Sequence, residues 1–201
     1  RESCTTVLAN TLCTLLLVLL LVSGVVLFVV WLGLRPHRPR FNLVAFAILA
    51  PPPGVAVGGG QQQVAFNVSD RNPNRHIGIH YDATHATVLY SDDDVLVAAG
   101  PASSSAWYQP NKTTTLIAGV LDVVGPRVTD AAWPSFAASL RAGRLPLRLQ
   151  LTTAIRFRLT AGFGFLQSGR QRMHVDCHLL VGSDGDLLPE SVGAACDRYF
   201  S

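Results

Sequence analysis

Two regimes of hydrophobic patterning divide this chain. From residue 3 to residue 34 no side chain is charged, and Leu, Val, Ala, Gly and Thr make up nearly all of the run. At about 1.5 Å of rise per residue, twenty such residues cover a hydrocarbon core of about 30 Å. The pattern predicts a membrane-spanning helix over 7–34, preceded by a short tail over 1–6. A buried core helix fits poorly, because that many apolar side chains would use up the core of a domain this small. A cleaved signal peptide also fits poorly. Its apolar run is usually about 7–15 residues, and cleavage needs small residues where Trp31-Leu32-Gly33-Leu34 stands. Trp31 is placed as an interfacial aromatic would be, and Pro36 and Pro39 end the helix.

Beyond residue 35 the period is two. Leu147, Leu149, Leu151, Ile155, Phe157 and Leu159 alternate with Arg148, Gln150, Thr152, Arg156 and Arg158. That alternation predicts one long, half-buried strand. Val175, Cys177, Leu179 and Val181 alternate with His174, Asp176 and His178. Val64, Phe66 and Val68 alternate with Asn67 and Ser69, and Ile77, Ile79 and Tyr81 with His80 and Asp82. Phe41 to Leu49 is also strand-like. One buried face and one wet face is the mark of antiparallel sheets. Turn residues separate the strands at Arg71–Asn74, Ser91–Asp94, Ser168–Arg170 and Ser183–Asp186. Pro51 to Gln61 reads as a flexible loop, and Pro101 to Ser105 as a second loose one. One short helix is expected where Trp133, Phe136, Ala137 and Leu140 recur at 3–4 spacing, with Pro134 in its first turn and Gly143 at its end. The fold class that results is mainly β: a single transmembrane helix, then an antiparallel β-sandwich over 35–201 with one short helix.

Charge alters this picture little. The chain is 49% hydrophobic and 14% charged, and the apolar run inflates the first figure. A net charge of +3 is mild and does not argue for nucleic acid, for which no zinc-finger, basic-zipper or RNA-binding motif is present. Orientation is contested. The chain starts at Arg1 and its single methionine is Met173, so a further N-terminal tail is expected. As written, Arg35, Arg38 and Arg40 outweigh Arg1 and put the domain in the cytoplasm; a basic tail before the span would reverse this. Two features favour the outside. Asn67-Val68-Ser69 and Asn111-Lys112-Thr113 are acceptor sequences for N-glycosylation, and the alternation puts Asn67 on a wet face. Cys177 and Cys196 are the only cysteines of the domain, a pairable number. A bridge between them would contribute ~3 kcal/mol by loop closure. Two unrelated buried thiols are the other reading. Cys4 and Cys13 belong to the membrane segment.

Candidate chemistry is sparse. His76 with His80, and His174 with His178, have the spacing that chelates a metal on a helix, but four residues of strand hold them about 13 Å apart. Asp92-Asp93-Asp94 and the Asp184/Asp186 pair lack the spacing of a twelve-residue calcium loop. No G-x-S-x-G elbow, P-loop or H-E-x-x-H motif occurs, and Gly162-Phe163-Gly164 lacks the third glycine of a dinucleotide fingerprint. No catalytic, cofactor or metal site is expected. Between Arg141 and Arg172 lie seven arginines and no acidic residue, and Arg148, Arg156 and Arg158 share the wet face of one strand. These three are candidates for docking a polyanion, such as an acidic polysaccharide or lipid headgroups, against the alternative of an ordinary solvated face.

Several blocks have a familiar form: Trp31-Leu32-Gly33-Leu34-Arg35-Pro36, Asn72-Pro73-Asn74 running to Tyr81-Asp82, Trp107-Tyr108-Gln109 running to Thr113-Thr114, and Val175-Asp176-Cys177. The chain resembles the plant harpin-induced-like and non-race-specific disease resistance-like membrane proteins, which carry a group 2 late-embryogenesis-abundant domain. The resemblance covers nearly the whole chain. It implies a seven-stranded immunoglobulin- or fibronectin-like sandwich, anchored in the plasma membrane and facing the cell wall, with a role in defence, stress tolerance or wall adhesion. It carries over no catalytic residue. The partners expected are the bilayer through 7–34 and a protein or cell-wall polyanion, not nucleic acid. A cytosol-facing, lipid-binding domain is the competing function, and a hydrolase a distant third.

Overall fold

In the computed structural model, residues 4–33, 36–49, 62–90, 94–126, 130–161 and 164–201 are described. The uncharged run forms one helix, α1, Cys4–Gly33. Within it Val7–Phe28 is apolar enough to cross a bilayer, with a mean hydropathy of 2.8. Leucines and valines surround the helix on every side, so it has no polar stripe with which to lie along an interface. The three hydroxyls within Val7–Phe28 are already satisfied. Thr11 Oγ1 donates to Val7 O, Thr14 Oγ1 to Asn10 O, and Ser23 Oγ to Leu20 O, at 2.8, 2.8 and 3.0 Å. A helix that pairs its backbone and these hydroxyls internally is what hydrocarbon tolerates.

The chain separates into this helical unit and a second unit, His37–Ser201. The second holds two antiparallel sheets. The smaller has the order β1-β2-β7, from Arg40–Leu49, Gln63–Arg71 and Thr114–Asp122. The larger is built around β8, Leu145–Ala161. One edge of β8 is lined by β4, Thr84–Tyr90, and then β3, Ile77–Tyr81; the other by β10, Gln171–Val181, and then β9, Gly164–Gln167. Outside these lie β5, Val95–Ser103, on β4; β6, Trp107–Gln109, on β3; and β11, Asp197–Phe200, on β10. Eleven strands among the described residues, rather than seven, follow from the length of β8, whose edges each take two shorter strands in tandem.

The period-two residues meet between the sheets. Leu43, Phe46, Val64, Phe66, Val68 and Leu121 face Ile79, Val88, Leu149, Leu151, Ile155, Met173, Val175 and Val181 in one buried cluster. Leu149, Ile155 and Val175 are fully inaccessible. Each such side chain contributes roughly 1.5–3 kcal/mol by leaving water. The short helix α2, Trp133–Arg141, has proline in its first turn and buries Phe136, and Gly143 beyond it takes φ +69°. Tyr90 meets Phe136 edge-on, ring centroids 5.2 Å apart.

Two local expectations change. Pro101 is not in a loose loop but inside β5, opposite His85. β4 is the one strand laddered to β5 among the described residues, and the bridge on its other edge, Ala98 to Val123, lies away from Pro101, so the proline stands on an edge position that tolerates it. His76 lies in the bend before β3 rather than in the strand. The loop over Pro51–Gln61, the Ser91–Asp93 part of an expected turn, Gly162-Phe163 and the Trp31 side chain lie outside what is described.

Candidate functional site

Strand β3 sorts polar residues to two sides. Inward, the Tyr81 hydroxyl donates to Gln109 Oε1 at 3.3 Å, and Gln109 Nε2 donates to Asp70 O at 2.8 Å. Tyr81 also stacks on Trp107, centroids 4.3 Å apart. The neighbouring turn is a staple. Asn72 Nδ2 donates to Ile77 O and Pro110 O at 2.9 and 3.0 Å. Its Oδ1 accepts from the Asn74 backbone N–H at 3.0 Å, and Asn74 Nδ2 reaches back to His37 O at 2.8 Å. The Asn-Pro-Asn block thus joins the chain entry, the start of β3 and the β6–β7 turn. Asp70 sits in this layer with no accessible surface, and neither carboxyl oxygen has a hydrogen-bond partner among the described residues. Burial pushes its carboxyl up to about 7, against a smaller opposing pull from the adjacent Tyr81 hydroxyl.

Outward, the same strands build a basic site. Register sets His80 beside Tyr108 on one side and Arg156 on the other, and Gly78 beside Arg158. The His80 and Tyr108 rings lie 4.7 Å apart. Tyr108 crosses directly over Gly78, where an added Cβ would meet its hydroxyl at 2.0 Å, so only glycine leaves room for the ring. Asp82 holds the rim: Arg170 Nε reaches Oδ2 at 2.7 Å and Arg156 Nη2 reaches Oδ1 at 3.5 Å. Two guanidinium groups therefore meet one carboxylate. Burial, then the charges of Arg158 and Arg156, hold the His80 imidazole below the ordinary histidine range. Forked guanidinium donors beside an exposed aromatic face suit an anion with two acceptor oxygens side by side, such as a carboxylate carried on a sugar ring.

Arg148 stands apart from this group. It is eight residues from Arg156 along β8, roughly 26 Å, and its guanidinium is ion-paired with Asp94. The structure brings Arg156 and Arg158 together with each other, not with Arg148. His80, Tyr108 and Arg170 were missed in the sequence because they join the site only through strand pairing and a turn. Cys177, on the inner face of β10, is bonded to Cys196 at an S–S distance of 2.01 Å. Cys196 N donates to Phe41 O at 2.9 Å, so the bridge ties β10 to a segment running along β1. Asn67 lies at mid-strand in β2, facing outward and half-buried. Asn111 lies in the β6–β7 turn, and its Nδ2 donates to Arg75 O at 2.5 Å. His174 is stacked on Tyr199 and hydrogen-bonded to Thr152, and His178 is exposed four residues further along the same face. At the far end of the sandwich, Val97, Val123, Trp133, Phe136 and Leu140 line a cavity of about 320 Å³.

Comparison with known proteins places the chain among plant relatives. The model of the LEA_2 family, late embryogenesis abundant protein, matches residues 67–177. That span includes both polar layers. NDR1/HIN1-like protein 12 of Arabidopsis thaliana is 23% identical over 195 residues, 95% of this chain and 87% of the relative. NDR1/HIN1-like protein 1 is 24% identical, covering 86% of this chain and 80% of the relative. Protein NDR1 from the same plant is 26% identical, covering 86% of this chain and 76% of the relative.

Proposed function

This chain belongs to the LEA_2 family of late embryogenesis abundant proteins, and from that premise we propose that it is a plasma-membrane-anchored binding domain of plant defence and stress response, facing the cell wall. The names of its relatives support the defence role, and neither they nor the family are known as enzymes. The observation that carries the orientation is the Cys177–Cys196 disulfide in a domain that follows an apolar helix. Disulfides persist in oxidising compartments and are rare in the cytosol. With the domain outside, α1 is the anchor, and the group of Arg156, Arg158, His80 and Tyr108 is offered to the wall. Acidic polysaccharide is the matching ligand chemistry. Arg148, ion-paired at the other end of β8, contributes at most a second, weaker contact.

Thiol state and protease access test the orientation together. In a Cys4→Ser/Cys13→Ser background, the protein in plant membranes is expected to take up a maleimide tag at Cys177 and Cys196 only after reduction. Protease added outside intact protoplasts is expected to remove the domain. Tagging without reductant, with the domain protected, would overturn the reading. It would favour the second one, a cytosol-facing domain that holds an apolar ligand, for which the cavity beneath Trp133 and Phe136 is the supporting observation.

A further inference from the structure

The outer face of the smaller sheet is apolar, and a glycosylation acceptor stands at its centre. Register lays the face out in rows: Leu49–Gln63–Asp122, Ala47–Ala65–Val120, Ala45–Asn67–Ala118 and Asn42–Ser69–Leu116. Leu116 and Val120 are 63% and 55% exposed, and Val44 and Leu49 are exposed beside them. Within the His37–Ser201 unit, no described helix or strand packs on this side. In the two central rows Asn67 is the single polar side chain. Its cross-strand neighbours are alanines about 5 Å away, which leave space above the amide. The surrounding trough has a volume of about 520 Å³. No described residue hydrogen-bonds the Asn67 amide, whereas that of Asn111 is bound to a backbone carbonyl.

We propose that Asn67 carries an N-linked glycan and that the first sugars of this glycan lie over Leu116, Val120 and the alanines around it, keeping the apolar sheet face from self-association. The inference rests on the wall-facing orientation, since only a domain in the secretory lumen meets the transferase. The occupant is argued from the attachment point: a glycan joined at the centre of the face reaches every row of it. Sugars have apolar faces as well as hydroxyls, so they cover Val120 and remain wetted outside. Without the glycan, this sheet presents a contiguous apolar patch of the kind that monomeric proteins seldom leave open.

The test uses the full chain expressed in plant cells. Gel mobility is compared for wild type, Asn67→Gln, Asn111→Gln and Ser69→Ala, with Ser69→Thr as the variant that keeps the acceptor sequence. Asn67→Gln and Ser69→Ala are expected to run faster by one glycan and Ser69→Thr to run as wild type. Detergent-solubilised Asn67→Gln protein is then expected to bind a hydrophobic dye severalfold more strongly and to sediment as larger species. Adding Leu116→Ser and Val120→Ser is expected to restore monomer. A glycan on Asn111 alone would leave the orientation standing and overturn this proposal. A glycan on neither residue, with the domain protected from outside protease, would overturn both. A glycan on Asn67 whose loss leaves dye binding and sedimentation unchanged would overturn the covering role.

Discussion

Tyr81 and His80 are neighbours on β3, as Gln109 and Tyr108 are on β6, yet each pair divides between two polar clusters with opposite energetics. Tyr81 and Gln109 belong to the layer inside the sandwich, where every group must find a partner or carry a penalty. His80, Tyr108 and Arg156 belong to the outer face, where water is the alternative partner and charge is cheap. A single run of sequence therefore encodes stability on one side of the sheet and recognition on the other. The difference teaches that the Asn-Pro-Asn and Tyr-Gln blocks are staples, and that ligand contacts are to be sought one residue away from them.

Breaking the inner cluster has the largest effect. Asn72→Ala removes the bonds to Ile77 O and Pro110 O and the acceptor for Asn74, leaving buried groups unpaired. At about 1–3 kcal/mol for each orphaned group, the expected loss in chemical denaturation is roughly 3–5 kcal/mol. A loss below about 1 kcal/mol would show that the turn does not need its staple.

Asp70 makes the inner cluster sensitive to pH. Its folded carboxyl titrates near 7, well above the ordinary value, so the native state holds a proton that the unfolded chain has released. The stability this group contributes is fully present below about pH 4 and is lost as pH rises through about 7. The loss approaches about 4 kcal/mol. Asp70→Asn is expected to abolish that slope and become the more stable protein at neutral pH. Denaturation series at several pH values check this, and parallel curves for the two proteins would refute it.

Changes to the outer cluster reverse the pattern, altering binding and not folding. Arg156→Ser with Arg158→Ser is expected to weaken retention on polygalacturonate by roughly tenfold per arginine and to flatten its salt dependence. The melting temperature should hardly move. Equal retention by wild type and variant would remove acidic polysaccharide as the ligand. The smallest effect is at Gly78. A methyl there meets the Tyr108 hydroxyl, and that ring is exposed and free to swing away. Gly78→Ala should therefore cost under about 1 kcal/mol while moving the His80 ring resonances in NMR. An unchanged His80 spectrum would mean that Tyr108 does not define the site.

Much of this was legible in the chain. An uncharged run from residue 3 to residue 34 dictates a helix that can cross a bilayer, because no other element satisfies its backbone in hydrocarbon. Period-two alternation assigned Leu149, Ile155 and Val175 to the core and Arg156, Asn67 and His80 to the outside, because successive side chains on a strand point to opposite faces. Pro101 misled, since whether proline breaks a strand depends on whether that strand is an edge. What only the tertiary structure decided is adjacency across strands. The setting of Arg156 against His80 and Tyr108, the parting of Arg148 from them, the bonding of Cys177 to Cys196 and the burial of Asp70 all depend on which residue of one strand stands opposite which of another. Alternation determines the face of a residue and carries no information about its partner; that is set by register, which the packing of the two sheets selects.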